Sequence, residues 1–166
     1  MTAAQRQHAL ALMQMLKRYA GLFGYPPGDR RQQLDAYDWG LSEARLETLF
    51  MQGHRAELDC SATASWIYAC AGAWPRSRGP GYTGTWLALG LKRYTDGRAA
   101  GLAAPVVFGL DREPTGEHMG LVWQPDPHGG DPLVGQHGRP GFDVLSLSET
   151  AAGFRGSYTF LNVSRL

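Results

Sequence analysis

Hydrophobic spacing divides the chain into a first part with a helical period and a second part with a strand period. Leu12, Met15, Leu16, Tyr19 and Phe23 recur at three- and four-residue intervals, which predicts a helix with one apolar face. Thr2-Ala3-Ala4-Gln5 has the form of a capping box, so this helix is expected to run from there to about Phe23. Gly24-Tyr25-Pro26-Pro27-Gly28 ends it, and the polar stretch 29–35 carries no clear period. Beyond an aromatic turn at Tyr37-Asp38-Trp39-Gly40, Ser42 can cap a second helix carrying Leu46, Leu49 and Phe50 and stopping at Gly53. Asp59-Cys60-Ser61 then opens a third helix, on which Ala64, Ile67 and Ala71 follow Cys60 along one face. Their small size predicts close packing against a sheet. Residues 72–81 read as a loop with Trp74, Arg76 and Arg78 partly exposed, and Trp86 to Tyr94 as a further short helix.

From Pro105 the period changes. Val106-Val107-Phe108, His118 to Trp123, Leu133 to His137, Phe142 to Leu147 and Ser157 to Leu161 read as five strands with short connections. Helices first and sequential strands afterwards predict an α+β fold with an antiparallel sheet, not a parallel doubly wound one. The helical part is expected at about 1–95 and the sheet part at about 104–166. No repeat or linker divides them, so 1–166 is expected to form one domain.

Composition narrows the function. The 166 residues are 43% hydrophobic and 19% charged, an ordinary soluble balance. A formal net charge of +1 gives no broad attraction to nucleic acid or anionic membrane. No apolar run approaches the ~20 residues of a membrane span, and the start of the chain lacks the pattern of a secretory signal. Synthesis in the cytoplasm without a signal peptide is therefore expected. Cys60 and Cys70 lie ten residues apart on one helix, about 15 Å by helical rise. A disulfide needs roughly 7 Å or less, so both are expected as thiols, with Cys70 structural.

Cys60 carries the candidate chemistry. At a helix start, the unpaired N–H groups and the positive end of the dipole favour a thiolate. A thiol nucleophile also needs a base and a group that orients the base. Of five histidines, His118 opens a strand beside Gly116 and Gly120, and His137 closes the next strand. If those strands are neighbours, Cys60 attacks, His118 takes the proton and His137 fixes the ring of His118. His128, in the loop Asp126-Pro127-His128-Gly129-Gly130, is the rival for the third position. The aromatics Trp74, Tyr82 and Trp86 suit either a substrate groove or the core.

The ordered set of Asp59-Cys60-Ser61, a strand-opening His118 followed by a small residue and apolars, and the later His137-Gly138 resembles the NlpC-type papain-like cell-wall peptidases. The resemblance covers roughly Tyr37 to the C-terminus. Gly81-Tyr82-Thr83-Gly84-Thr85 is similar to a segment of the variants carried by phage lysins. The resemblance implies a papain-like core, Cys60 as nucleophile, His118 as base and His137 as the third polar residue. It also implies a groove tyrosine at Tyr37; Asp59, Ser61 and Tyr82 are assigned to substrate binding beside it. The chain departs from the family at Ala62-Thr63 after the nucleophile motif, in the long His118 to His137 interval, and at Ala103-Ala104-Pro105 ahead of the Val-Val-Phe strand.

The implied activity is a phage endolysin-like cysteine endopeptidase or amidase that cuts an amide of the peptidoglycan stem peptide. It would act as a monomer without metal or cofactor, with a thiolate–imidazolium pair at rest, after release by lysis or injection. A non-lytic virion or tail component of the same fold and an interbacterial amidase toxin are the alternatives. A zinc site built on Cys60, His118 and His137 is a further rival.

Overall fold

The structure is a computed structural model and describes residues 1–24, 39–112, 116–138, 141–164 and 166. Tyr37, most of the Pro-Pro helix stop and the 29–35 stretch lie outside the described residues. The first helix, α1 (Ala3–Arg18), opens on the expected box: Thr2 Oγ1 accepts from the Gln5 N–H and Gln5 Oε1 accepts from the Thr2 N–H. It ends earlier than the spacing predicts. A 3-10 turn at Ala20–Leu22 follows, and Phe23 leaves the helix for a two-residue strand, β1 (Phe23–Gly24), which pairs in parallel with β2 (Ala56–Glu57). Between them lies α2 (Glu43–Met51), capped by Ser42 through the Arg45 N–H, with Gly53 past its end at φ +77°.

Cys60 is the first residue of α3 (Cys60–Cys70), and all of 60–68 is buried. Trp74 is 3% exposed, not a loop-surface residue: its ring stacks on Trp86 with centroids 4.6 Å apart, and its Nε1–H reaches the Gly79 carbonyl. The predicted helix at 86–94 is displaced. The structure has α4 (Thr83–Leu87) and then β3 (Arg93–Tyr94), which starts the sheet one strand earlier than the sequence pattern does.

The other strands fall close to where alternation puts them: β4 (Pro105–Phe108), β5 (His118–Gln124), β6 (Leu133–His137), β7 (Phe142–Ser146) and β8 (Tyr158–Leu161). Leu147 does not extend β7. Ser146 and Glu149 form a second capping box there and begin α5 (Leu147–Ala152). The result is a six-stranded antiparallel sheet in the order β3-β8-β4-β5-β6-β7, an α+β fold.

One sheet face carries Val107, Met119 and Leu121 and packs against α1 and α3, in a core with Leu12, Met13, Leu16 and Ile67. The other face carries Val106, Phe108, Val122, Val134 and Phe160 and is covered by Leu147 and Ala151 of α5. The two apolar layers follow from the strand period of two. No helix among the described residues is long and apolar enough to cross a membrane.

Candidate active site

Two side chains fix the start of α3. The Asp59 carboxylate accepts from the Ala62 N–H at 2.7 Å and from the Ser61 hydroxyl at 3.0 Å, which closes the first turn over Cys60. One turn on, the buried Ser65 hydroxyl donates to the Ser61 carbonyl at 2.8 Å and accepts from the Gly81 N–H at 2.9 Å and the Trp86 Nε1–H at 3.1 Å. That hub holds the Gly81-Tyr82-Thr83 segment against α3. A Cβ at Gly81 would lie 2.9 Å from the Ser65 hydroxyl and from both indole rings, so only glycine fits. Tyr82 is 36% exposed beside this junction, whereas Trp86 is core. Cys60 is 6% exposed, and neither it nor Cys70 is in a disulfide.

His118 is the first residue of β5 and 7% exposed. Its Nε2 is 2.7 Å from Gln136 Oε1, and its ring stacks on Phe154 at 5.1 Å with 6° between the planes. An amide oxygen can only accept, so Nε2 carries the proton and Nδ1 is the basic nitrogen. Burial holds the His118 pKa below its usual value. The Gln136 bond and the negative Asp59 oppose that shift without cancelling it. The ring is therefore neutral near pH 7, and a resting imidazolium is disfavoured, contrary to the ion pair that the resemblance implies. Among the described residues the side-chain hydrogen bond of His118 goes to Gln136 and not to Cys60. The field of Asp59 at His118 nevertheless ties the strand start to the helix start electrostatically.

His137 does not fix the ring of His118. In the β5–β6 register Gly120 faces Gln136 and Leu121 faces Gly135. Alternation then puts His118 and Gln136 on the α5 face and His137 on the α3 face. There His137 is 1% exposed, stacks on Phe23 at 4.2 Å, and shares a 3.0 Å hydrogen bond between Nδ1 and Thr63 Oγ1. Its Nε2 lies 3.3 Å from the Phe23 carbonyl, and burial pulls its pKa down to about 4, with the carbonyls of Phe23, Leu58 and Asp59 opposing. His137 thus braces the Leu58-Asp59 approach to Cys60, and the side chain that orients the His118 ring is Gln136.

The remaining histidines lie elsewhere. His54 and His128 are exposed, and His8 bonds Glu43 at 2.7 Å between α1 and α2. For the zinc rival, both ring nitrogens of His137 are engaged, Nδ1 by Thr63 and Nε2 by the Phe23 carbonyl, which leaves neither for a metal. Among the described residues no cluster of three His, Cys, Asp or Glu forms a metal-binding group.

Gln136 and Ser65 are the residues that the motif search misses. Gln136 was open to detection: it is one step from His137 on a strand whose alternation sends neighbours to opposite faces. An open groove of about 570 Å³ runs along His118 and Gln136, with Leu145, Thr150 and Phe154 among its walls. Comparison with protein-family models gave no match, and neither did comparison with curated proteins.

Proposed function

We propose that the chain is a cysteine hydrolase that cuts an amide of the peptidoglycan stem peptide, with Cys60 as nucleophile, His118 as base and Gln136 as the orienting residue. The 2.7 Å bond between Gln136 and His118 carries the reading. It fixes the tautomer that leaves Nδ1 as a proton acceptor, and the charge of Asp59, the residue before Cys60, acts on that ring. The thiol at the first residue of a capped helix, and the groove beside the base, add support.

In the reaction Cys60 Sγ forms a bond to the amide carbonyl carbon while its proton passes to His118 Nδ1. Backbone N–H groups of the first turn of α3 stabilise the oxyanion. The imidazolium returns the proton to the leaving nitrogen as the C–N bond breaks. Water, deprotonated by His118, then cleaves the thioester and restores the thiol. Substrate binding completes the approach of thiol and base, since catalytic hydrogen bonds are often long before substrate arrives. In this reading the protein works on the wall after release from the producing cell.

The test is turbidity loss of purified cell walls, followed by mass spectrometry of the muropeptides. The wild-type chain yields new stem-peptide termini, and Cys60→Ala yields none while keeping its melting temperature. Lysis by the Cys60→Ala chain would overturn the assignment. An absence of new products from every wall tested would leave the fold a non-hydrolytic role. Iodoacetamide is expected to inactivate through Cys60 and not Cys70, whose thiol is held in its protonated form by burial. Chelators are expected to leave the rate unchanged.

A further inference from the structure

A second cavity, of about 540 Å³, opens at the other end of the sheet. The row containing His118 runs through Phe108 to Tyr158, whereas the cavity gathers around Leu161 to Ser164 and β3. Three residues of strand, roughly 10 Å, separate Tyr158 from Leu161. The cavity is therefore distinct from the groove beside the base.

Its lining combines cations that have no counterion among the described residues, hydrogen-bonding groups and an apolar floor. Arg6, half-buried on α1, is pinned through Nη1 to the Leu102 carbonyl at 2.7 Å. Among the described residues no carboxylate lies within ion-pair distance of Arg6 or of Lys92. The acid of the cavity, Asp96, is answered by Arg98 at 3.0 and 3.2 Å. The Tyr94 hydroxyl has no hydrogen-bond partner among the described residues, and Asn162 uses its Oδ1 on the Ser164 N–H, which leaves its amide N–H groups to donate. Leu161 and Val163 supply the apolar side. The positive field of Arg6 reaches the Tyr94 phenol, so the two groups act on the same space.

A guanidinium fixed by one edge presents its other donors in a planar fork that fits a carboxylate. Beside it the cavity offers hydroxyl and amide groups for a peptide bond and a small apolar surface for short side chains. We infer that this cavity is a binding site for the C-terminal carboxylate of a short peptide with small apolar residues, held by Arg6 and Lys92. The inference stands apart from the hydrolase reading and survives or fails without it.

The test is titration of the full ¹⁵N-labelled chain with N-acetyl-alanyl-alanine, its C-terminal amide and inorganic phosphate, followed by amide chemical shifts. The free-acid peptide is expected to give saturable shifts at Tyr94, Gly101 and Asn162, and the amide to bind at least about tenfold more weakly. Arg6→Gln weakens the free acid by about tenfold and Lys92→Ala by roughly threefold, with unchanged shifts around His118. If Arg6→Gln does not fold, the comparison of acid with amide and the Lys92→Ala chain carry the test. Equal binding of acid and amide, phosphate binding as tight as the peptide, shifts centred on His118, or no saturable shift would each overturn the inference.

Discussion

At the scale of single residues, the site turns on the proton held between Gln136 and His118. Burial lowers the His118 pKa, while the Gln136 bond and the Asp59 charge raise it in part. In the proposed reaction His118 acts as a base only when neutral, so the acid limb of kcat/KM is expected below pH 6.5, the ordinary histidine value. Gln136→Glu puts an anion against the ring, favours the imidazolium and moves that limb upward. Asp59→Asn removes a favourable charge and moves it downward. Gln136→Ala frees the ring to turn, and a misplaced base of this kind costs about a hundredfold in rate. Rate profiles against pH for the three variants check all of these; an acid limb that none of them moves would remove His118 from the reaction.

At the scale of elements, the long strands were legible in the sequence and the short ones were not. β4, β5 and β6 declare themselves by alternation and β-branched or aromatic residues. β1, β2 and β3 have two residues each, too few to show any period, and exist because they pair with distant segments. The same limit explains why Trp86 to Tyr94 read as a helix: its apolar spacing comes from burial of a short helix and a turn. Of the candidate site, the helix start at Cys60 and the strand start at His118 were visible through cap chemistry and strand alternation. Gln136 was legible only through the alternation of β6, where it lies one step from His137 and faces the opposite side of the sheet.

Gly120 lies on β5 opposite Gln136 of β6. A Cβ there would lie 2.5 Å from Val134 Cγ1 and 3.0 Å from the Gly135 carbonyl oxygen. Neither a branched side chain at χ1 nor the backbone moves cheaply, so Gly120→Ala is expected to cost about 1–3 kcal/mol. It should also lower activity at temperatures where the protein is still folded, because Gln136 faces Gly120 across the pair. Thermal melts run beside activity at 25 °C separate the two effects.

At the scale of the whole molecule, His137 joins three parts of the chain: the sheet through β6, α3 through Thr63 and the β1 segment through Phe23. Its pKa is about 4 in the folded protein against 6.5 for an ordinary histidine. The unfolded chain therefore binds the proton first. Above pH 6.5 both states are neutral at this group, and it contributes no pH dependence to stability. As pH falls from 6.5 towards 4 the fold loses up to about 3 kcal/mol, and below that the loss levels off. For a chain of this size that corresponds to roughly 5–10 °C in Tm. His137→Gln should lower Tm at pH 7.5 and flatten its dependence between pH 6.5 and 4. A slope unchanged by that substitution would assign acid sensitivity to other groups.

The adjacency of Gln136 and His137 has a consequence for how such a site can change. The two side chains differ by one step along a strand, and one step is also the difference between facing the base and facing the helix. A single-residue slip of β6 against β5 that brought His137 into the place of Gln136 would present an imidazole to His118 and move Gly138 into the place opposite Thr63. A glutamine-supported and a histidine-supported dyad are thus neighbouring states of one backbone, separated by an indel in the hairpin loop and not by a new fold.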